Sequence, residues 1–285
     1  KSAGKKLMVC DEEYTVEEAK PDSFKDIDIA LFAGGKVSEV LAPEAVRRGA
    51  VVIDNSSAFR MDPQVPLIIP EINPEDIEKH RGIIANPIKR VIVSTYQAVS
   101  GAGKEGIDEL YGETEAVSKG IVYEPKILPS ASLPKHYPIA YNLIPQIDIF
   151  LDNEHTKEEM KMVNETHKIL HDEDIAITPT AVRVPVIRSH AESIYVETAA
   201  PLSTKQIKEA MKSFPGVVLV DDIKKQVYPM PLDTSNKTDV AVGRIRKDLY
   251  NKRGINLWVC GDQIRKGAAL NTLQIAEYMI AHDMF

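Results

Sequence analysis

The sequence predicts an α/β protein made of two different units. The first third alternates short apolar runs with an amphipathic stretch, which is typical of a parallel sheet with crossover helices. From about residue 175 onward, long β-branched runs follow one another with few helices between them, which indicates a mixed, largely antiparallel sheet. The length of 285 residues agrees, since about 150 residues per domain favours two domains.

The opening unit is predicted as strand, glycine turn, helix and strand. The run IDIALF ends at Phe32, a glycine pair follows at 34–35, and the helical stretch VSEVLAPEAVRRG leads to AVVID. Ser38 is the predicted cap at the start of this helix, and Gly49 follows its basic carboxyl end. Two more short apolar runs, PLIIPEI and RGIIANP, come next.

The rest of the chain contains the longer elements. The run KRVIVSTYQ is a predicted strand, followed by a helix from about Lys104 to Ser118. Later helices are predicted in TKEEMKMVNETHKIL, in STKQIKEAMKSF and in the closing stretch IRKGAALNTLQIAEYMIAH. Strands are predicted in IAITPTAVRVPV, AESIYVETA, GVVLVDD, DVAVGRIRK and INLWVCGD.

Composition excludes several classes of protein. There are 35 basic and 42 acidic side chains, a net charge of −7, which argues against nucleic acid as a main partner. No apolar run approaches the ~20 residues that cross a bilayer, so no membrane partner is expected. Cys10 and Cys260 stand far apart without CxxC spacing, which favours a reducing, cytoplasmic setting over disulfides or a cysteine zinc site. Because the chain opens at Lys1 without a methionine, we expect it to begin partway through a domain.

No single motif decides the chemistry. The sequence has no GxGxxG, GxxxxGK[ST], HExxH or GxSxG pattern. His167 and His171 stand four apart on a predicted helix, but no third ligand accompanies them, so we interpret them as structural and expect no metal.

The segment STYQAVSGAGKEG has the most unusual composition. Small residues between a strand and a helix let a ligand approach the backbone, and Gln97 offers a hydrogen-bonding amide. A plain strand-to-helix turn is an equally good interpretation of this segment.

His190 is the candidate general base. Glu192 follows two residues later, hence on the same strand face, where a carboxylate would orient the ring and raise its basicity. A histidine without a catalytic role is the alternative. Arg183 lies seven residues earlier, on the opposite face of a straight strand, so a turn or bulge at Pro185 or at residues 187–189 must intervene if both serve one site.

Three further charged residues suit an anionic or zwitterionic ligand. Arg60, after a predicted strand, has a planar guanidinium that fits phosphate or carboxylate. Glu158 and Lys161 stand three apart on a helix and could contact an ammonium and an anion, although a solvated ion pair is the commoner fate of such a pair.

Together these segments resemble bacterial aspartate-semialdehyde dehydrogenases from residue 2 to the last helix. The resemblance is carried by DNSSAFRMD, PLIIPEIN, RVIVSTYQAVSGAGKEGIDEL, KHYPIAYNLIPQID, EEMKMVNETHKI, VRVPV with SHAES, VGRIRKD and KGAALNTLQIAE. It implies a Rossmann-like NADP-binding domain whose N-terminal part is missing, and an α+β catalytic and dimerisation domain with a mixed sheet. The implied boundaries are 1–87, rejoined by a helix in 263–285, and 88–262.

The resemblance also implies an activity. The family reduces L-aspartyl 4-phosphate with NADPH to L-aspartate 4-semialdehyde and phosphate through a cysteine thioester, on the route to lysine, threonine and methionine. It implies a homodimer in the cytoplasm.

The resemblance assigns roles to matching positions. It implies His190 as the acid/base and Gln97 as the residue that positions the substrate, with Arg183 and Glu158 in the substrate pocket. Further positions match phosphate-binding residues, Arg60 and Lys161, and cofactor-contacting residues, Ser2, Ser100, Gly101 and Gln263.

The sequence departs from the family pattern at the nucleophile. The family reads ANPNCST and then a helix, whereas Asn86 and Pro87 here run directly into Ile88. Acidic neighbours would suppress a thiolate at Cys10, and Cys260 lies in a predicted buried strand, so neither replaces the missing cysteine. We expect that a segment is missing between Pro87 and Ile88 and that the backbone is broken there. The alternative is a noncatalytic homologue that acts as a binding or structural dimer.

Overall fold

The structure is a computed structural model that describes residues 3–9, 12–32, 36–54, 59, 65 and 88–282. It forms two compact units. One comprises Lys1–Val65 with Ile275–Phe285, and the other comprises Pro66–Gln274. Both units combine helices and strands, so the predicted α/β fold class is confirmed.

The first unit contains a hairpin and a parallel strand pair. Strands β1 (Lys6–Val9) and β2 (Glu12–Thr15) pair antiparallel, and β3 (Ile29–Phe32) and β4 (Val51–Asp54) pair parallel. Helix α1 (Lys36–Arg47) makes the crossover. The strand–helix–strand order is therefore as predicted, whereas the hairpin was not, because its strands lie outside any buried apolar pattern.

The ends of α1 test the capping predictions. Gly49 follows the helix with φ of +93°, a conformation that favours glycine, as expected at a helix carboxyl end. Ser38 is not the cap, because the helix already begins at Lys36. Its buried hydroxyl instead donates to Asp54 Oδ1 at 3.0 Å and so ties α1 to the end of β4.

The second unit is built on one six-stranded mixed sheet in the order β6-β5-β7-β10-β9-β8. The β6/β5 and β9/β8 pairs are parallel, and the three pairs between them are antiparallel, which confirms the predicted mixed sheet. The strands are β5 (Ile88–Gln97), β6 (Ala176–Arg183), β7 (His190–Thr198), β8 (Val217–Leu219), β9 (Val240–Lys247) and β10 (Gly254–Gly261).

Five further helices belong to the described chain after β5. They are α2 (Gly103–Ser118), α3 (Lys157–Leu170), α4 (Thr204–Ser213), α5 (Pro231–Thr234) and α6 (Asn271–Ala281). The closing stretch was expected to be one helix from residue 264. It instead begins with a π-helical turn, Arg265–Leu270, before α6.

Two apolar clusters form the core of the second unit. Ile207 of α4 packs on the β9/β10 side with Val242, Ile245, Ile255 and Leu257. Leu110 of α2 packs with Val99, Leu128, Ile139 and Ile144. Burial of these apolar side chains stabilises the folded second unit. No helix of the described residues is long and apolar enough to cross a membrane.

Candidate active site

Three predicted site residues meet at one edge of the sheet. Gln97 ends β5 and pairs in register with Arg183, which ends the parallel strand β6. His190 begins β7, which runs antiparallel to β5, so its first residue lies at the same edge. The chain between Arg183 and His190 leaves the sheet at residues 184–189, which is the interruption that the sequence required for both to face one site.

The His190 ring is oriented by the backbone. Its Nδ1 accepts a hydrogen bond of 3.1 Å from the Ala98 amide, so the neutral ring carries its proton on Nε2. The prediction that Glu192 orients the ring is wrong in this respect, because the hydrogen bond to Nδ1 comes from Ala98. Burial lowers the His190 pKa to about 4, helped by the charge of Arg183 and opposed by the carboxylates of Glu158 and Asp262. The unliganded site therefore holds a neutral imidazole near pH 7.

Arg183 is a buried cation that is only 3% exposed. Its Nη1 donates to Ala98 O at 2.8 Å and its Nη2 to Pro129 O at 3.4 Å. Its buried Nε has no hydrogen-bond partner within the described part of the chain. Burial lowers its pKa to about 10, against the charge of Glu158, so it stays protonated at neutral pH. An ordered guanidinium of this kind suits a carboxylate.

Glu158 and Lys161 are not the solvated pair that their spacing alone favours. Glu158 Oε2 accepts from Lys161 Nζ at 2.9 Å, and its Oε1 accepts from Gln97 Nε2 at 3.4 Å, with side chains 26% and 30% exposed. Burial alone would raise the pKa of Glu158, but Lys161, Gln97 and Arg183 together hold it below the usual value. The helix α3 therefore presents an ionised carboxylate and an ammonium to the strand-end cluster.

The small-residue turn after β5 packs against both the arginine and a glutamine. A Cβ on Gly101 would lie 2.7 Å from Arg183 Nη1, so only glycine fits there. Gln263 Nε2 donates to Ser100 Oγ at 2.8 Å, and its buried Oε1 has no partner among the described residues. A buried acceptor without a donor beside a glycine turn fits the carboxamide of a nicotinamide ring.

Sequence reasoning missed one residue of this cluster, Asp262. It lies immediately after β10, is completely buried, and accepts from Arg188 Nε at 2.6 Å and from the Asn236 amide at 2.6 Å. The available signal was its place next to Gln263 at the end of a strand. Arg188 and Asn236 lie 74 and 26 residues away from Asp262 in the chain, and no spacing rule links them to it.

Several predicted positions are outside the described residues or outside the site. Arg60, Ser2, Cys10 and the junction before Ile88 are outside the described residues. Cys260 is described, fully buried and free. Burial raises its pKa to about 12, which agrees with its rejection as a nucleophile.

The two spaced histidines of α3 have ordinary structural contacts. His167 Nε2 contacts Ile175 O at 2.8 Å, and His171 caps the helix in a left-handed conformation.

Two family models, which together span residues 1–266, place the chain in the semialdehyde dehydrogenase class. Residues 1–80 match the family described as semialdehyde dehydrogenase, NAD binding domain. Residues 81–266 match the semialdehyde dehydrogenase, dimerisation domain.

Full-length relatives narrow this class. The aspartate-semialdehyde dehydrogenase of Bacillus subtilis is 51% identical over 97% of this chain and 86% of its own length. The aspartate-semialdehyde dehydrogenase of Aquifex aeolicus is 47% identical over 100% of this chain and 88% of its own length. The crystal structure of aspartate semialdehyde dehydrogenase II from Vibrio cholerae complexed with ASA has a TM-score of 0.88 at 42% identity, covering 100% of this chain and 88% of that one. The chain belongs to the aspartate-semialdehyde dehydrogenase family, and nothing in these comparisons supports the noncatalytic alternative.

Proposed function

We propose that the protein reduces L-aspartyl 4-phosphate to L-aspartate 4-semialdehyde, with NADPH oxidised to NADP⁺ and inorganic phosphate released, in the biosynthesis of lysine, threonine and methionine. The observation that carries this proposal is the convergence of Arg183, His190, Gln97 and the Glu158–Lys161 pair at one sheet edge. These groups match the charges of the substrate one for one.

Each charged group has a proposed partner on the substrate. Arg183 binds the α-carboxylate, because its buried guanidinium keeps a free Nε donor. Glu158 accepts from the ammonium, and its lowered pKa keeps it ionised for this task. Lys161, together with Arg60, binds the phosphate. Gln97 holds the reacting acyl group near the nucleophile.

His190 is the proposed acid/base. With Nδ1 engaged by Ala98, Nε2 is the atom that takes a proton from the attacking thiol and returns it to the cysteine sulfur when the aldehyde is released. The bound substrate adds negative charge beside the ring, which favours the imidazolium and offsets the burial that lowers the pKa of the unliganded ring. The nicotinamide cofactor, when bound, supplies the hydride that reduces the acyl carbon to the aldehyde.

The nucleophile is proposed to be a cysteine on a segment between Pro87 and Ile88 that this sequence lacks. The alignment with the B. subtilis relative runs over 298 positions, whereas 97% of 285 residues is only about 276, so about 22 positions carry residues of the relative alone. The A. aeolicus alignment runs over 307 positions against all 285 residues, a similar excess. Placed between Pro87 and Ile88, about 22 residues would be enough for a cysteine loop and a helix.

Mass spectrometry of the intact natural protein tests the missing segment. We expect a mass well above 31.6 kDa and a tryptic peptide containing ANPNC. A natural protein of 31.6 kDa, with an ordinary peptide bond between Pro87 and Ile88, would support the noncatalytic alternative.

The cofactor is proposed to be NADP rather than NAD. Ser100, Gly101 and Gln263 would hold its nicotinamide end, and Lys1 with Ser2 would supply a cation and a hydroxyl at the 2′-phosphate. Titration of the natural protein with NADP⁺ and with NAD⁺ tests the choice. We expect tighter binding of NADP⁺, and equal affinities would contradict the proposal.

The protein is further proposed to act as a cytoplasmic homodimer. The match to a dimerisation domain over residues 81–266 supports the dimer, and the free thiol of Cys260 agrees with a reducing compartment. The domain boundaries 1–87 with 263–285, and 88–262, belong to the same proposal. Light scattering in solution should give twice the chain mass, and a monomer at working concentration would contradict the dimer.

The activity is tested in the reverse direction, as NADPH formation from aspartate semialdehyde, phosphate and NADP⁺. The variant His190→Ala should lower kcat by about 100- to 10,000-fold, the usual contribution of a positioned acid/base. His167→Ala is the matched control, since that ring on α3 contacts the backbone carbonyl of Ile175, and its kcat should change little. Undiminished turnover by His190→Ala would refute the assigned role.

A further inference from the structure

A single buried carboxylate, that of Asp262, joins segments from three parts of the second unit. Its Oδ2 accepts from Arg188 Nε and from the Asn236 amide, both at 2.6 Å. Its Oδ1 accepts from the amides of Ile264 at 3.0 Å and Arg265 at 3.1 Å. Its side chain is fully buried, so these protein donors replace the water that would otherwise solvate the charge.

One of these segments leads directly into His190. Arg188 is two residues before it, and Ser189 between them has φ of +73°, a conformation that residues other than glycine rarely adopt. Ser189 Oγ is hydrogen bonded to Thr234 Oγ1 at 2.5 Å, and Ser235 Oγ donates to Arg188 O at 3.3 Å. Asp262 therefore helps to hold a strained chain from which the His190 ring projects.

Another of these segments carries Gln263, the neighbour of Asp262. Gln263 contacts Ser100, whose amide in turn donates to Ile187 O at 3.2 Å. The amide of Val99 donates to Val186 O at 2.8 Å. The turn that holds Ser100 and the chain that precedes His190 are thus bonded to each other, and Asp262 anchors both.

We propose that Asp262 is a positioning residue that fixes the His190 imidazole relative to the Gln263 amide, and so aligns proton transfer with the cofactor. The role rests on the proposed function of these two side chains. Asp262 itself touches neither substrate nor cofactor. All four of its partners are donors, which only an ionised carboxylate can satisfy together.

The substitution Asp262→Asn tests this role. One carboxylate oxygen becomes an NH₂ group, which cannot accept hydrogen bonds from the two N–H donors that face it. The matched control is Asp221→Asn. Asp221 is also buried, accepts from the amides of Arg244 at 2.9 Å and Ile245 at 3.3 Å, and pairs with Lys208 Nζ at 2.8 Å. These partners belong to β9 and α4, away from the His190 edge of the sheet.

We expect Asp262→Asn to lower kcat by about 100-fold, the cost of a misplacement of about 1 Å. The KM for aspartate semialdehyde should change by less than about threefold, because Arg183, Glu158 and Lys161 keep their contacts. Asp221→Asn should lose stability but keep kcat within about twofold. If both variants lose stability and neither loses kcat, Asp262 is merely structural and the proposal is wrong.

Hydrogen exchange and cofactor titration make the test independent of turnover. In Asp262→Asn, the peptides covering residues 98–100 and 187–190 should exchange faster and NADP⁺ should bind more weakly, whereas Asp221→Asn should affect residues 244–245 only. Unchanged exchange at residues 187–190 would overturn the proposal even if kcat fell. Absence of the proposed activity in the wild type would refute the proposed function but would leave these two measurements valid.

A milder variant covers the case in which Asp262→Asn does not fold. Arg188→Gln removes one of the four donors and keeps the three backbone amides on Asp262. We expect kcat to fall by about tenfold with KM nearly unchanged, and a kcat equal to that of the wild type would count against the role of Asp262.

Discussion

The buried carboxylates of α2 and the half-buried Glu158 of α3 find their hydrogen-bond partners in different ways. On α2, Glu109 accepts from the amides of residues 126–128, and Glu113 from those of Ile139 and Ala140. Among the described residues, Glu158 on α3 accepts from the side chains of Gln97 and Lys161. The carboxylates of α2 hold the segment after that helix in place through its backbone amides. The carboxylate of Glu158 has side-chain partners instead, which a positively charged group of a ligand can replace.

The two helices also shift the pKa of their carboxylates in opposite directions. Burial raises the pKa of Glu113, with Glu109 adding to the effect and the two amides opposing it. Burial acts in the same direction on Glu158, but Lys161 and Gln97 outweigh it and the pKa falls. Burial by itself therefore does not fix the direction of the pKa shift, which depends on the charged side chains around each carboxylate.

The largest effect is expected at Arg183, whose positive charge helps to lower the pKa of Glu158. Arg183→Leu leaves Ala98 O and Pro129 O without their donor and removes the proposed carboxylate grip. We expect kcat/KM for aspartate semialdehyde to fall by about 100-fold or more, since truncating a buried charged partner costs 2–5 kcal/mol or more. Steady-state kinetics measure this. Arg246→Leu is the control, an exposed arginine on β9 whose kinetics should stay close to those of the wild type.

A smaller effect, and on stability alone, is expected on α2. Glu113→Leu leaves the amides of Ile139 and Ala140 unpaired, so the free energy of unfolding should fall by about 2–4 kcal/mol while kcat/KM of the folded protein stays within about threefold. Urea denaturation measures the loss. Glu115→Leu, which removes an exposed carboxylate paired with Lys119 on the same helix, should change stability far less. A loss of activity without a loss of stability would reverse the contrast drawn between the two helices.

The smallest effect is the pH dependence of stability, which should have opposite signs at the two sites. The lowered pKa of Glu158 adds stability above its unfolded pKa, and this stability is lost as pH falls through the folded pKa. The raised pKa of Glu113 adds stability below its unfolded value of about 4.5, which is lost as pH rises through the folded pKa.

Unfolding measured from pH 3.5 to 7 should therefore respond differently to two isosteric variants. Glu158→Gln should reduce the loss of stability on acidification, and Glu113→Gln should reduce the loss as pH rises from about 4.5. Two variants with the same sign would show that one of the carboxylates has been assigned to the wrong environment.

Local patterns were enough for most of the fold. The helices α2, α3 and α4 lie within one or two residues of their predicted bounds, because their periodicity and capping residues are local. The mixed sheet also followed from the run of β-branched segments. The predicted cap at Ser38 was wrong, because its hydroxyl bonds to Asp54, which lies 16 residues away in the chain. The predicted unbroken final helix was also wrong, because a π-helical turn precedes α6.

By itself, the sequence determined the family, the residue types of the site and the absence of a suitable nucleophile among its two cysteines. Tertiary structure alone decided the ring orientation of His190 by the Ala98 amide, the partial burial of the Glu158–Lys161 pair and the contacts of Asp262 with Arg188 and Asn236. The physical reason is that helical and strand periodicity extends over a few residues, whereas the hydrogen bonds of the site join groups 61 and 92 residues apart in the chain.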